Sequence, residues 1–184
     1  MRDPKTAEPV NPSSAQARAA EPASGRRRSA PPGGSDVDEV TGVGATFQWP
    51  VRVYWEDTDA GGIVFYANYL KFFERSRTEW LRSLGIAQQR LKDESGGMFV
   101  VTETSIRYHR PARLDDELIV TARVLETGRA SMIIAQQALL KSEQDPVAVA
   151  PKLLCEGTIR IGWVNAATMQ PCRIPSVILD RFKP

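Results

Sequence analysis

Apolar and polar positions change their rhythm several times along this chain, and each change marks an element. Phe47, Pro50, Val51, Val53 and Trp55 suggest a first strand, with Pro50 near its start or on an edge. The loop from Glu56 to Tyr66 contains Gly61 and Gly62. From about Ala67 to Ser83 the spacing becomes helical, because Tyr69, Phe72, Phe73, Ser76, Trp80, Leu81 and Leu84 fall on one broad face. Arg75, Glu79 and Arg82 are left for the other face, and Gly85 stands where a C-cap is favoured. A second short helix is predicted over Ala87 to Lys92, before the Gly96-Gly97 break. Strand-like runs follow at Phe99–Tyr108, Leu118–Leu125, Ser131–Lys141 and Leu153–Val164, with a hairpin turn at Gly128 and a last helical turn near Val177 to Phe182. One long apolar helix with five strands predicts a two-layer α+β domain. The four later strands are expected to form an antiparallel meander, and the helix to pack in the concave face of a curled sheet.

Composition alters this picture in one place. Residues 1–44 are rich in Pro, Ala, Ser, Gly and Arg and lack any aromatic residue, so they cannot bury enough apolar surface to offset their ordering entropy. They are expected to be a disordered tail, with the folded domain spanning 45–184. Arg26, Arg27 and Arg28 form a basic run within the tail, which reads as a solvated segment because three charges give little affinity for a polyanion.

The 24 basic and 22 acidic residues nearly balance, so no nucleic-acid partner is expected. No apolar stretch reaches the roughly 18 residues of a membrane span. An apolar signal region is missing after Met1, so a cytoplasmic location is expected. Cys155 and Cys172 do not form a CxxC pair and are expected to be reduced thiols.

The chemistry concentrates in Glu56-Asp57-Thr58-Asp59-Ala60-Gly61-Gly62-Ile63-Val64-Phe65-Tyr66-Ala67-Asn68-Tyr69. Two carboxylates stand beside a glycine pair just ahead of a helix start. Free N–H groups and the helix dipole there favour developing negative charge, as on the oxygen of a polarised carbonyl. A carboxylate nearby can serve as base or nucleophile in acyl transfer. The alternative is an ordinary glycine-rich connection in which Asp57 or Asp59 makes turn hydrogen bonds.

The run from Tyr54 through Tyr69, continued by Phe73-Glu74-Arg75-Ser76-Arg77-Thr78-Glu79-Trp80-Leu81-Arg82 and by Pro111-Ala112-Arg113-Leu114-Asp115-Asp116, resembles the 4-hydroxybenzoyl-CoA thioesterase family. Within that family it is most similar to the tol-pal-associated acyl-CoA thioesterase branch. The likeness spans roughly residues 48 to 165. It implies a hot-dog fold, in which a five-stranded antiparallel sheet wraps a long central helix. It implies homodimers or homotetramers with interfacial sites, an acyl-CoA substrate, and no metal or other cofactor. It assigns the catalytic carboxylate to Asp59, as nucleophile or general base, with Asp57 a secondary candidate. It assigns the thioester-polarising donor to the Tyr66 N–H, and places Gly62 and Asn68 at the substrate. Many members of the closer branch carry His where this chain has Tyr66, so an imidazole mechanism at that position is not open to it. The family's 4-hydroxybenzoyl-CoA enzyme has Tyr there.

Other side chains have plainer readings. His109 reads as a surface or strand-end histidine, and Glu74 as a helix-surface charge or a partner of Arg75 or Arg77. Arg107, Arg110 and Arg113 suit either coenzyme A phosphates or a solvated strand edge. Ser76 and Thr78 lack a nucleophile elbow. Trp55, Phe65, Phe72 and Phe73 suit a pocket wall or the core, with core the default. Hydrolysis of acyl-CoA is the leading expectation. The alternatives are a thioester on acyl carrier protein, or binding of acyl groups or proteins without turnover.

Overall fold

The computed structural model describes residues 45–141 and 151–182. The expected tail over 1–44 lies outside the described residues. The described elements are β1 (Phe47–Arg52), α1 (Asn68–Ser83), α2 (Gln88–Ser95), β2 (Gly97–Tyr108), β3 (Glu117–Thr127), β4 (Ser131–Leu140), β5 (Lys152–Asn165) and α3 (Ser176–Leu179). A single 3-10 turn at Trp55–Asp57 follows β1, and another at Asp180–Phe182 follows α3.

All five strands pair antiparallel in the order β1-β3-β4-β5-β2. The expected four-strand meander therefore holds only for β3, β4 and β5. β1 takes the free edge of β3, with Phe47 opposite Ala122, and β2 pairs with the far side of β5. α1 explains how the chain passes from one edge to the other. Its sixteen residues make a rod of about 24 Å, and four inter-strand gaps amount to about 19 Å. Register shifts at Val101/Glu103, Val124/Glu126 and Ala138/Leu139 bend the sheet around this rod. This α+β arrangement is the hot-dog fold.

α1 buries Tyr69, Phe72, Phe73, Ser76, Trp80 and Leu81 against Leu118, Val120, Ala138, Leu154 and Ile159. Each fully buried large side chain contributes roughly 1.5–3 kcal/mol. Gly157 allows the close approach, since a Cβ there would lie 3.1 Å from Phe73 Cε2. Arg77 is buried on the same stripe, and helical spacing did not single it out. Its Nη1 donates to Gln136 Oε1 (2.7 Å), and Gln136 Nε2 donates in turn to the Phe73 carbonyl (3.0 Å). A polar core group is thus satisfied by helix and sheet together. Glu74 pairs with Arg77 and accepts from Thr78, the structural role expected for it.

α1 ends as its glycine predicts. Gly85 has φ +77°, its N–H donates to the Arg82 carbonyl, and the Ile86 N–H reaches back to Leu81 (both 2.9 Å). These are the two bonds of a Schellman motif. β1 stops sooner than its apolar run suggests. Trp55 sits in the 3-10 turn and is 79% exposed. Asp57 Oδ2 accepts from the Tyr54 N–H at 3.0 Å, which folds the chain out of the strand. No helix among the described residues is long and apolar enough to cross a membrane.

Candidate active site

The loop between β1 and α1 is fixed by two carboxylates facing opposite ways. Asp57 is 1% exposed. Its side chain holds the Tyr54 N–H, and its carbonyl accepts from the Phe65 N–H and from Asn68 Nδ2, each at 2.9 Å. Asp59 is exposed. Its N–H donates to the Ile63 carbonyl (2.9 Å) and its carbonyl accepts from the Gly62 N–H (3.0 Å). The bridge between Thr58 and Val64 closes this small hairpin, and a bridge from Ile63 to Arg113 ties it to the segment before β3.

Both glycines have specific work. Gly61 donates its N–H to Asp59 Oδ1 at 2.8 Å, and a Cβ on Gly61 would stand 3.1 Å from that oxygen. The bare backbone lets the carboxylate fold onto the loop while Oδ2 keeps no protein partner among the described residues. Gly62 has φ +72°, a left-handed conformation that side chains disfavour.

α1 opens without a side-chain cap: Ala67 is its N-cap and supplies no acceptor. Helix starts leave backbone N–H groups unsatisfied unless something caps them. The Asn68 N–H turns back to the Phe65 carbonyl (2.8 Å), but the N–H groups of Tyr66 and Ala67 find no acceptor among the described residues. The Tyr66 side chain is 62% exposed beside Phe65, with ring centroids 4.6 Å apart.

Asp59, Gly62, Tyr66 and Asn68 thus fall on one ten-residue segment with divided orientations. Asp59, Gly62 and Tyr66 are exposed. Asn68 is buried, and its amide ties the helix to the Asp57 carbonyl. The aromatic residues divide too: Phe72 and Phe73 are core, whereas Trp55 and Phe65 are exposed near the loop.

A cleft beside the loop is walled by Ile63, Val64, Tyr66, Tyr69, Tyr108 and Pro111, with His109 and Arg110 at its rim. Burial pushes the Tyr69 and Tyr108 phenols up from their ordinary value, which itself keeps both protonated at neutral pH. Tyr69 Oη accepts from the Ala112 N–H (3.0 Å), and Tyr108 Oη donates to the Tyr66 carbonyl (3.1 Å). Nothing in the sequence singled out Tyr108, which is contributed by the end of β2; only strand pairing brings it to α1. His109 sits at the strand end, with Nε2 2.9 Å from Glu156 Oε1. Arg107, Arg110 and Arg113 are exposed; the Arg113 N–H donates to Asp116 Oδ2 (2.8 Å), and Arg110 Nη1 to the Leu153 carbonyl (3.4 Å). No group of three or more His, Cys, Asp or Glu side chains among the described residues could hold a metal ion.

Chemically, the segment offers an exposed carboxylate with one free oxygen, unsatisfied N–H donors at a helix start, and an adjoining apolar wall. Such a set can polarise a carbonyl and attack it, or direct a water at it.

Known proteins resemble this chain in sequence and in fold. The model of the thioesterase-like superfamily matches residues 53–182. The acyl-CoA thioesterase YbgC of Haemophilus influenzae is 40% identical over 136 residues, covering 74% of this chain and 93% of that protein. The acyl-CoA thioester hydrolase YbgC of Escherichia coli is 39% identical over 137 residues, 74% of this chain and 96% of that one. The 4-hydroxybenzoyl CoA thioesterase structure from a Pseudomonas species superposes with a TM-score of 0.66 at 16% identity, over 74% of this chain and 98% of that chain. The last likeness carries the fold alone. From the matched residues, the helix wrapped by its sheet and the glycine-bearing acidic loop between them, this chain belongs to the thioesterase-like superfamily.

Proposed function

We propose that this protein hydrolyses acyl-CoA thioesters, with Asp59 as its catalytic carboxylate and the Tyr66 N–H as the donor to the thioester carbonyl. The observation that carries the reading is the pairing of an exposed Asp59, anchored through one oxygen to the Gly61 N–H, with an uncapped start of α1 on the same loop. The names of the YbgC relatives supply the substrate class.

In this reading the thioester oxygen accepts from the Tyr66 N–H. Negative charge gathers there as the carbonyl carbon becomes tetrahedral, and the helix start stabilises it. Asp59 Oδ2 attacks the carbon, coenzyme A leaves as its thiolate, and water opens the resulting anhydride. In the other form of the mechanism the same carboxylate takes a proton from a water that attacks directly. Gly62 permits the backbone to approach the substrate. Asn68 contributes through the loop it holds. The exposed Arg107, Arg110 and Arg113 side chains suit the phosphates of coenzyme A.

The proposal extends to assembly and setting. A homodimer or homotetramer with sites at the interface is supported by the β2 edge and by exposed Tyr54, Trp55, Phe65 and Val101. A cytoplasmic setting accords with two free thiols.

The test is thiol release from short, long and aromatic acyl-CoA substrates by wild type and by folded Asp59→Asn. Activity in the wild type that is lost in the variant is the expected result. Equal activity in both would remove Asp59 from the reaction, and no turnover of any substrate would overturn the acyl-CoA reading. Sedimentation of the active species decides the assembly: a fully active monomer rules out an interfacial site.

A further inference from the structure

We infer that Tyr108 is a positioning residue, holding the Tyr66–Ala67 peptide at the start of α1 so that the Ala67 N–H serves as a second donor, beside the Tyr66 N–H, in thioester polarisation. The inference rests on the hydrolytic reading above and names a residue outside the loop that carries the motif.

Tyr108 Oη donates to the Tyr66 carbonyl at 3.1 Å, from a strand forty-two residues further along the chain. The Tyr108 ring meets Tyr66 edge-on at 6.3 Å between centroids and Tyr69 at 5.8 Å. Tyr69 is tightly packed: it is 2% exposed and its hydroxyl accepts from the Ala112 N–H. Tyr108 therefore braces against a packed ring on one side and reaches an exposed turn on the other.

The peptide geometry gives this contact its consequence. The Tyr66 carbonyl shares a rigid plane with the Ala67 N–H. The Phe65 carbonyl shares one with the Tyr66 N–H, and accepts from the Asn68 N–H at 2.8 Å. Both donor planes are thus held from their carbonyl sides, one by the helix itself and the other by Tyr108. A hydrogen bond on the carbonyl also polarises the N–H across the same peptide. Donors aligned before reaction stabilise an oxyanion without reorganisation, so the benefit appears as charge develops and not when substrate binds.

The experiment compares Tyr108→Phe with wild type, with folding checked by thermal melting. The variant keeps the ring and loses the hydroxyl. We expect kcat to fall about three- to tenfold, the scale of one neutral hydrogen bond. KM is expected to stay within about twofold, and so is the affinity for a thioether analogue with a methylene in place of the carbonyl. Placing 4-aminophenylalanine at position 108 restores a donor of similar reach and should recover kcat. An unchanged kcat in Tyr108→Phe, a parallel loss of thioether binding, or no recovery with the amino analogue would each overturn the inference. Asp59→Asn is assayed alongside. Activity lost there but unchanged in Tyr108→Phe sinks the positioning role alone, whereas the reverse sinks the role of Asp59. Should no acyl-CoA be turned over, the amide resonances of Tyr66 and Ala67 still decide: shifts that do not move in Tyr108→Phe overturn the inference.

Discussion

Asn68 Nδ2 donates to the backbone carbonyl of Asp57, eleven residues earlier, across the buried side of the loop. The contact makes the first residue of α1 a clasp for the segment that bears Asp59. Asn68→Ala should lower stability by about 1–2 kcal/mol, the usual cost of losing a buried hydrogen bond. Asn68→Asp should cost more despite its matching shape, because it sets an acceptor against the Asp57 carbonyl. Urea unfolding of the two variants checks this order.

Asp57 and Asp59 should separate stability from activity. Asp57→Asn weakens the acceptor for the Tyr54 N–H in a site that is 1% exposed, and should lose about 1–3 kcal/mol while the folded enzyme keeps its kcat. Asp59→Asn should melt like wild type and lose roughly 100-fold or more in kcat. Melting curves beside initial rates test both halves of the comparison.

This division was only partly legible in the sequence. The alternation that would say which acid faces inward is broken by the 3-10 turn at Trp55–Asp57. The same turn accounts for Trp55, which the apolar run placed in the first strand and whose position is exposed. α1 was readable because a single helix shows its buried stripe locally through Tyr69, Phe72, Phe73 and Trp80. Strand order was not, because nothing in β2 itself states that it will meet β5 and not β3. Tyr108 was hidden for the same reason: its contact with Tyr66 follows from that non-local pairing.

Glycine positions supply a second contrast. Gly61→Ala brings a methyl group to 3.1 Å from Asp59 Oδ1, so it should displace the carboxylate and lower kcat with little change in melting temperature. Gly97→Ala would drive its Cβ into the Trp163 ring in the packed sheet, and should cost about 1–3 kcal/mol of stability.

Acid should loosen the end of the sheet at β1, β3 and β4. Glu117 Oε2 accepts from Lys141 Nζ at 2.6 Å, and its other oxygen pairs with Arg52. The Lys141 hydrogen bond, with help from Arg52, holds the Glu117 carboxyl below its ordinary value of 4.5. A lowered pKa in the folded state gives stability that is fully present above the unfolded pKa and disappears as pH falls through the folded one. NMR titration should find the Glu117 midpoint below the usual glutamate range, and Lys141→Met should move it back up.

The cysteines should react unequally. Burial pushes the Cys155 thiol up to about 12, with Glu156 adding to the effect, and the side chain is fully enclosed. Native protein should leave Cys155 unmodified by iodoacetamide at neutral pH, and unfolded protein should alkylate it. Mass spectrometry of the two digests reads the difference directly.

The strand order also sets a timetable for synthesis. The loop carrying Asp59 is among the first folded-domain residues to leave the ribosome, yet its anchors come late. Val64 donates to Ala112, Ile63 bridges to Arg113, and β1 takes its register from Glu117 to Ala122. At about 5–20 residues per second, several seconds separate the loop from its supports. The local hairpin of the acidic loop can close at once, but its long-range anchors cannot form until the residues of β3 have been made.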